Sequence, residues 1–296
     1  MRRQWLITAA AALAVQFGAT GAASANPAFA VWLDGNTDAS CGGNGICTSL
    51  TQAFGAGSYQ LVTSAQLDTP GFLSSNGFKT VIVSRYDSGY GNSLDSVAAA
   101  NVASFVGSGA SQGGVAVFTN DAADNFYGAT SGDPYDANLN QLFVNAATYA
   151  EQSGHGYLGE FNGAVMAMNS NTAGFAALGL LQGSASAVGS NGSEQFQYGV
   201  GPVGSGNPID SGVTFPFTDS DTTTFLTRIT GANPNNIVDI YTDPLAANLP
   251  AVLANSYVIS GGGQNNAVPE PATFALLGAG LLGLGLVRRL RPRARA

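Results

Sequence analysis

The sequence predicts an α/β fold: a parallel-sheet, three-layer core with an irregular β-rich C-terminal half, followed by a C-terminal transmembrane helix. Three observations carry this. Strand-type and helix-type runs alternate with short connectors from Phe29 to about Met168, the pattern of βαβ units. Lys79 to Ser84 (KTVIVS) holds the continuous apolar run Val81-Ile82-Val83, the kind that a parallel sheet buries on both faces. Residues 272–287 are 16 uncharged, mostly apolar positions that run straight into an arginine cluster.

The elements follow in order. Phe29 to Leu33 (FAVWL) reads as a strand that ends at Asp34. Ser49 to Ala56 reads as a short helix and Tyr59 to Thr63 as β-rich. Thr69 to Asn76 reads as a helical turn with Pro70 at its start, a position proline favours. Lys79 to Ser84 is the strongest strand. Ser93 to Val106 is a helix with Ser93 as cap, Asp95 in the first turn and Gly107 as its stop. Gly114 to Thr119 (GVAVFT) is the next strand, and Ala137 to Gln152 a helix with Leu139, Leu142, Phe143, Ala146 and Tyr149 on one side. Tyr157 and Leu158 open a further strand, and Gly163 to Met168 a helix. From about Gly183, short β-type runs sit among Gly, Asn and Pro: Val213 to Phe217, Phe225 to Ile229, Ile237 to Tyr241 and Val252 to Ile259. They read as the far side of the same sheet plus insertions.

Both ends read as targeting segments. Arg2 and Arg3, the apolar run Leu6 to Phe17 and Ala23-Ser24-Ala25 make a signal peptide over residues 1–25. The general secretory route is the preferred reading, with a twin-arginine signal as the alternative. Residues 26–260 are then the extracytoplasmic domain, 261–267 (GGGQNNA) a flexible spacer, and 268–296 a separate terminal segment. A 16-residue helix spans about 24 Å, and arginine stems can extend that toward the ~30 Å hydrocarbon core. The positive-inside rule keeps Arg288, Arg289, Arg291, Arg293 and Arg295 cytoplasmic as a stop-transfer signal.

The formal charge of −8 divides unevenly. The domain keeps only Lys79, Arg85 and Arg228 against 17 acidic residues, a net charge of about −14. So acidic a surface excludes nucleic acid as a partner, because phosphates need basic patches. Solubility is the plain reading of the charge.

Val268-Pro269-Glu270-Pro271, the apolar run and the arginine cluster, in that order, resemble the PEP-CTERM sorting signal of Gram-negative bacterial surface proteins. The resemblance covers the last 29 residues. It implies an exported protein, first a single-pass inner-membrane precursor and then mature at the cell surface or in the extracellular matrix. It implies an exosortase-type membrane processing enzyme and the secretion translocon as partners, and an association with exopolysaccharide and biofilm. In the core, a helix after KTVIVS, a glycine bend and GVAVFT resemble the class I glutamine-amidotransferase-like fold, itself close to a flavodoxin-like sheet. The stretch matching its nucleophile turn is Gly159-Glu160-Phe161-Asn162-Gly163. Phe161 stands at the nucleophile position and has no nucleophilic atom, so the resemblance implies fold and not chemistry.

Candidate chemistry is sparse, and a non-enzymatic core is the preferred reading. His155, between Gly154 and Gly156, could act as a general base with Glu160 or Asp121 as orienter. No G-x-S-x-G elbow accompanies it, and a structural or solvated role is preferred. Asp34, Asn36 and Asp38 imitate the start of a calcium loop, but Ala39 and Gly45 break the pattern and Asx turns explain the same residues. Cys41 and Cys47, in CGGNGIC, can close a small disulfide loop after export. No cofactor is implied. The alternatives are an extracytoplasmic α/β hydrolase-like enzyme and a calcium- or glycan-binding adhesin module.

Overall fold

The computed structural model describes residues 26–33, 45–84, 94–120, 122, 135–160, 179–181, 187–191, 195–204, 206–219, 226–244 and 246–255. All belong to one unit, Met1–Tyr257. The signal segment, the helix expected at 163–168 and everything from residue 256 lie outside the described residues.

Five strands form the parallel half of a nine-stranded sheet. They are β1 (Phe29–Leu33), β2 (Tyr59–Leu61), β3 (Thr80–Ser84), β4 (Val115–Phe118) and β5 (Gly156–Glu160). Their order is β2-β1-β3-β5-β4, with every neighbouring pair parallel. Between them run helices α1 (Gly45–Phe54), α2 (Ser64–Leu67), α3 (Phe72–Ser75), α4 (Ser96–Val106) and α5 (Ala137–Glu151). Strand alternation sorts the side chains into two buried layers. Phe29, Val31, Leu33, Ile82, Phe118 and Leu158 pack with Ile46 and Leu50 of α1 and with Leu139, Leu142 and Phe143 of α5. Ala30, Trp32, Val81, Val83, Val115, Val117 and Tyr157 pack on the opposite face with Leu67, Leu73, Ala98, Val102 and Val106. The core is therefore three-layered, and this is why β1, β3 and β4 read as continuous apolar runs. Each fully buried side chain of this size contributes about 1.5–3 kcal/mol.

Local chemistry sets the helix ends. Helix α4 starts two residues later than its expected Ser93 cap would place it. Asp95 caps it, its carboxylate accepting from the N–H groups of Val97 at 2.8 Å and Ala98 at 2.9 Å. A carboxylate meets the positive helix end better than a hydroxyl does. Gly107, at φ 77°, terminates it. Asp136 caps α5 through the Leu139 N–H at 2.9 Å. Past α5 the chain reverses and enters β5 at Gly156, where a Cβ would lie 2.1 Å from the Ala150 carbonyl oxygen. Only glycine allows that approach.

The C-terminal half extends the same sheet, as expected, but with reversed strands, so the sheet is mixed and not parallel throughout. Strand β11 (Pro250–Ala254) pairs antiparallel with β4, and β10 (Ile237–Tyr241) with β11. Strand β7 (Gln197–Val200) pairs with β10, and β8 (Phe217–Thr218) with β7, also antiparallel. A short connection favours this geometry for β10 and β11, since parallel pairing needs a long crossover. Strands β6 (Ala187–Asn191) and β9 (Leu226–Ile229) form a separate antiparallel pair. A bridge between Asn120 and Leu226 joins it to the end of β4. Among the described residues, no helix is long and apolar enough to cross a membrane. The expected span 272–287 lies outside them.

Candidate functional site

The parallel strands end along one edge, where such sheets place ligands. Three of these strands, β3, β4 and β5, carry a buried polar side chain at or just past that end. Ser84 closes β3, Glu160 closes β5, and Thr119 and Asn120 follow β4. The register sets Val83 beside Gly159 and Phe118 beside Glu160, so Ser84 and Glu160 fall next to each other on adjacent strands. Strand parity turns Ser84, Glu160 and Asn120 to the face that carries α1 and α5. The Ser84 hydroxyl donates to Glu160 Oε2. The Asn120 amide donates from Nδ2 to the Tyr198 hydroxyl at 2.5 Å, while Asn120 Oδ1 is buried with no partner among the described residues. Thr119 donates from Oγ1 to the Pro250 carbonyl at 2.7 Å and lies 3.2 Å from the Tyr241 hydroxyl.

The tyrosines come from the antiparallel extension. Tyr198 on β7 and Tyr241 on β10 are fully buried, with ring centroids 5.2 Å apart. Burial above all, then the neighbouring Tyr241 and Asp219, pushes the Tyr198 hydroxyl well above its ordinary value, so it stays protonated. The polar belt therefore ties the two halves of the sheet together. It offers hydroxyls, an amide and one carboxylate, which can hold neutral polar groups.

His155 is not part of it. It precedes β5, while Glu160 ends it, and five residue steps along the strand separate them by about 16 Å. The His155 Nε2 sits 3.0 Å from the Ser111 carbonyl oxygen, and its Nδ1 is buried without a partner among the described residues. That geometry does not bring His155 and Glu160 together. Asp121 lies outside the described residues, as do Asp34, Asn36, Asp38 and Cys41. Cys47 falls in the first turn of α1, and no described cysteine is free. Among the described residues, no group of three or more His, Cys, Asp or Glu could hold a metal ion.

Tyr198, Asp210 and Asp239 do not stand out in the sequence as site residues. A lone acid inside the apolar run Ile237-Val238-Asp239-Ile240-Tyr241 was the available signal for the last.

No curated protein and no solved structure matches the chain. The resemblance to the amidotransferase-like fold therefore gains no support beyond the α/β class. One family does match. Residues 267–289 fit the PEP-CTERM protein-sorting motif, the segment that holds Val268, Pro269, Glu270 and Pro271, the apolar run, Arg288 and Arg289. The chain thus carries a PEP-CTERM sorting motif, and in that segment it is similar to proteins that exosortase, a membrane enzyme, sorts to the cell surface.

Proposed function

We propose that the chain is an exported surface or matrix protein whose C-terminal segment is an address removed by an exosortase-type enzyme, and that its α/β domain is non-enzymatic cargo linked to exopolysaccharide and biofilm. The match at 267–289 carries this reading. Pro269 and Pro271 fix φ and resist helix or sheet pairing, which keeps the motif extended for a processing site. Residues 272–287 hold the precursor in the inner membrane, and the arginines after them stop translocation. Cys41 and Cys47 pair once exported. Replacing Pro269, Glu270 and Pro271 together by alanine in a host with exosortase should leave full-length precursor in the inner membrane. Unchanged delivery to the surface would sink the reading.

The Ser84–Glu160 hydrogen bond at the carboxyl edge favours a second reading, a hydrolase-like site with Glu160 as base. Screening the purified protein against ester and glycoside substrates decides it. Turnover that Glu160→Gln abolishes would establish the enzyme, and no turnover leaves the non-enzymatic reading standing.

A further inference from the structure

A buried acidic pair lies away from the polar belt. Asp210 ends the 3₁₀ turn Pro208–Asp210, and Asp239 sits in β10. Asp210 is 5% exposed and Asp239 0%. Among the described residues, no donor reaches any of the four carboxylate oxygens. The two carboxyl groups are close enough for each to act on the other's protonation. The turn is otherwise pinned to α5, where Asn145 donates from Nδ2 to the carbonyls of Ile209 and Ser211, both at 2.7 Å. Asn207 caps it through the Ile209 N–H at 2.9 Å.

Two ionised carboxylates only accept, so neither can satisfy the other. A buried polar group left unpaired is costly, and a second like charge beside it more so. One proton turns an acceptor into a donor and closes a hydrogen bond between the two acids. We propose that Asp210 and Asp239 form a proton-held clasp that fastens the 207–213 turn to the sheet, closed in acid and loosened as pH rises. Among the described residues of the elements packed around the pair, no other charge faces it. Asp239 is the only charged residue of β10, and β7 and β11 have none. The one charged residue of α5, Glu151, pairs with Lys79 at 2.5 Å. Tyr198 and Tyr241 are the other titratable groups on these strands, and buried Tyr198 keeps its proton at these pH values.

The direction follows from burial. Desolvation pushes Asp210 up from 3.8 to about 6. It pushes Asp239 well above the ordinary carboxylate range, with the charge of Asp210 adding to it. The unfolded chain gives up these protons at lower pH than the folded one. The clasp's stabilisation is therefore full below the ordinary carboxylate pKa and is lost as pH rises through about 6 and beyond.

The test is thermal unfolding of the full chain in detergent. Between about pH 5 and about pH 7.5 the wild type should lose about 5–10 °C in melting temperature. The Asp239→Asn variant should lose markedly less, because its amide donates to Asp210 without a proton. General repulsion among the acidic residues affects both proteins, so the difference between them reads the clasp. An equal fall in both overturns the proposal. Should that variant fail to fold, Asp210→Asn takes its place. Hydrogen exchange of the wild type supplies a variant-free check. Protection of the Ile209, Asp210 and Val213 amides, corrected for intrinsic rates, should drop over the same range, and unchanged protection refutes the clasp. Recovery of the high-pH loss by millimolar calcium or magnesium would also overturn it, because the pair would then be a cation site.

Discussion

Replacing Tyr198 by phenylalanine removes one oxygen and leaves the ring in place. Its effect follows from Asn120, which is 0% exposed. Among the described residues, the Asn120 amide makes a single side-chain hydrogen bond, to the Tyr198 hydroxyl, and its Oδ1 has no partner. Tyr198→Phe therefore strands a buried amide group with no partner on either atom. The penalty for an unsatisfied buried polar group is about 1–3 kcal/mol. In a domain of about 150–250 residues, each kcal/mol lowers the melting temperature by about 2–4 °C. Thermal unfolding followed by circular dichroism, with a guanidinium titration at fixed temperature, reads both quantities. A second change separates the missing bond from altered ring packing. Asn120→Leu in the Tyr198→Phe background removes the stranded amide and should return part of the loss. A loss below about 0.5 kcal/mol for Tyr198→Phe would refute the claim that this belt joins the two halves of the sheet.

Two further changes probe the frame that positions the edge. Gly156→Ala puts a methyl group 2.1 Å from the Ala150 carbonyl oxygen, and the backbone there cannot yield cheaply. It should destabilise by about 1–3 kcal/mol or more, seen as a lower guanidinium midpoint. A neutral effect would mean that β5 does not enter so close to α5. Asp136→Ala removes the cap of α5 and should cost about 1 kcal/mol in the same assay, whereas an unchanged midpoint would deny the cap a role.

The legible and illegible parts of the fold divide by physics. Strands β1, β3 and β4 are buried on both faces, so apolar continuity alone revealed them within a residue or two. Helix α5 declared itself through Leu139, Leu142, Phe143, Ala146 and Tyr149, all of which are buried. Strand β7, Gln197 to Val200, has a glycine at its centre and stayed hidden, because its stability comes from Tyr198 packing and cross-strand pairing. Strand direction in the second half was equally hidden. Nothing local in Ile237–Tyr241 or Pro250–Ala254 states whether a neighbour runs parallel or antiparallel. The carboxyl-edge polar residues were readable as strand ends, but their partners were not, because Tyr198 comes from a strand the pattern missed. His155 drew attention by its chemistry, yet its place before β5 puts it at the opposite end from Glu160. The sorting segment was the most legible part, since it is written in linear order: prolines, apolar run, arginines.

That segment also carries the central claim, and intact-mass spectrometry of the surface-exposed protein tests it most directly. The protein should be recovered from a host with exosortase without residues 272–296. A mass that retains those residues in the mature surface form would contradict an address that is removed.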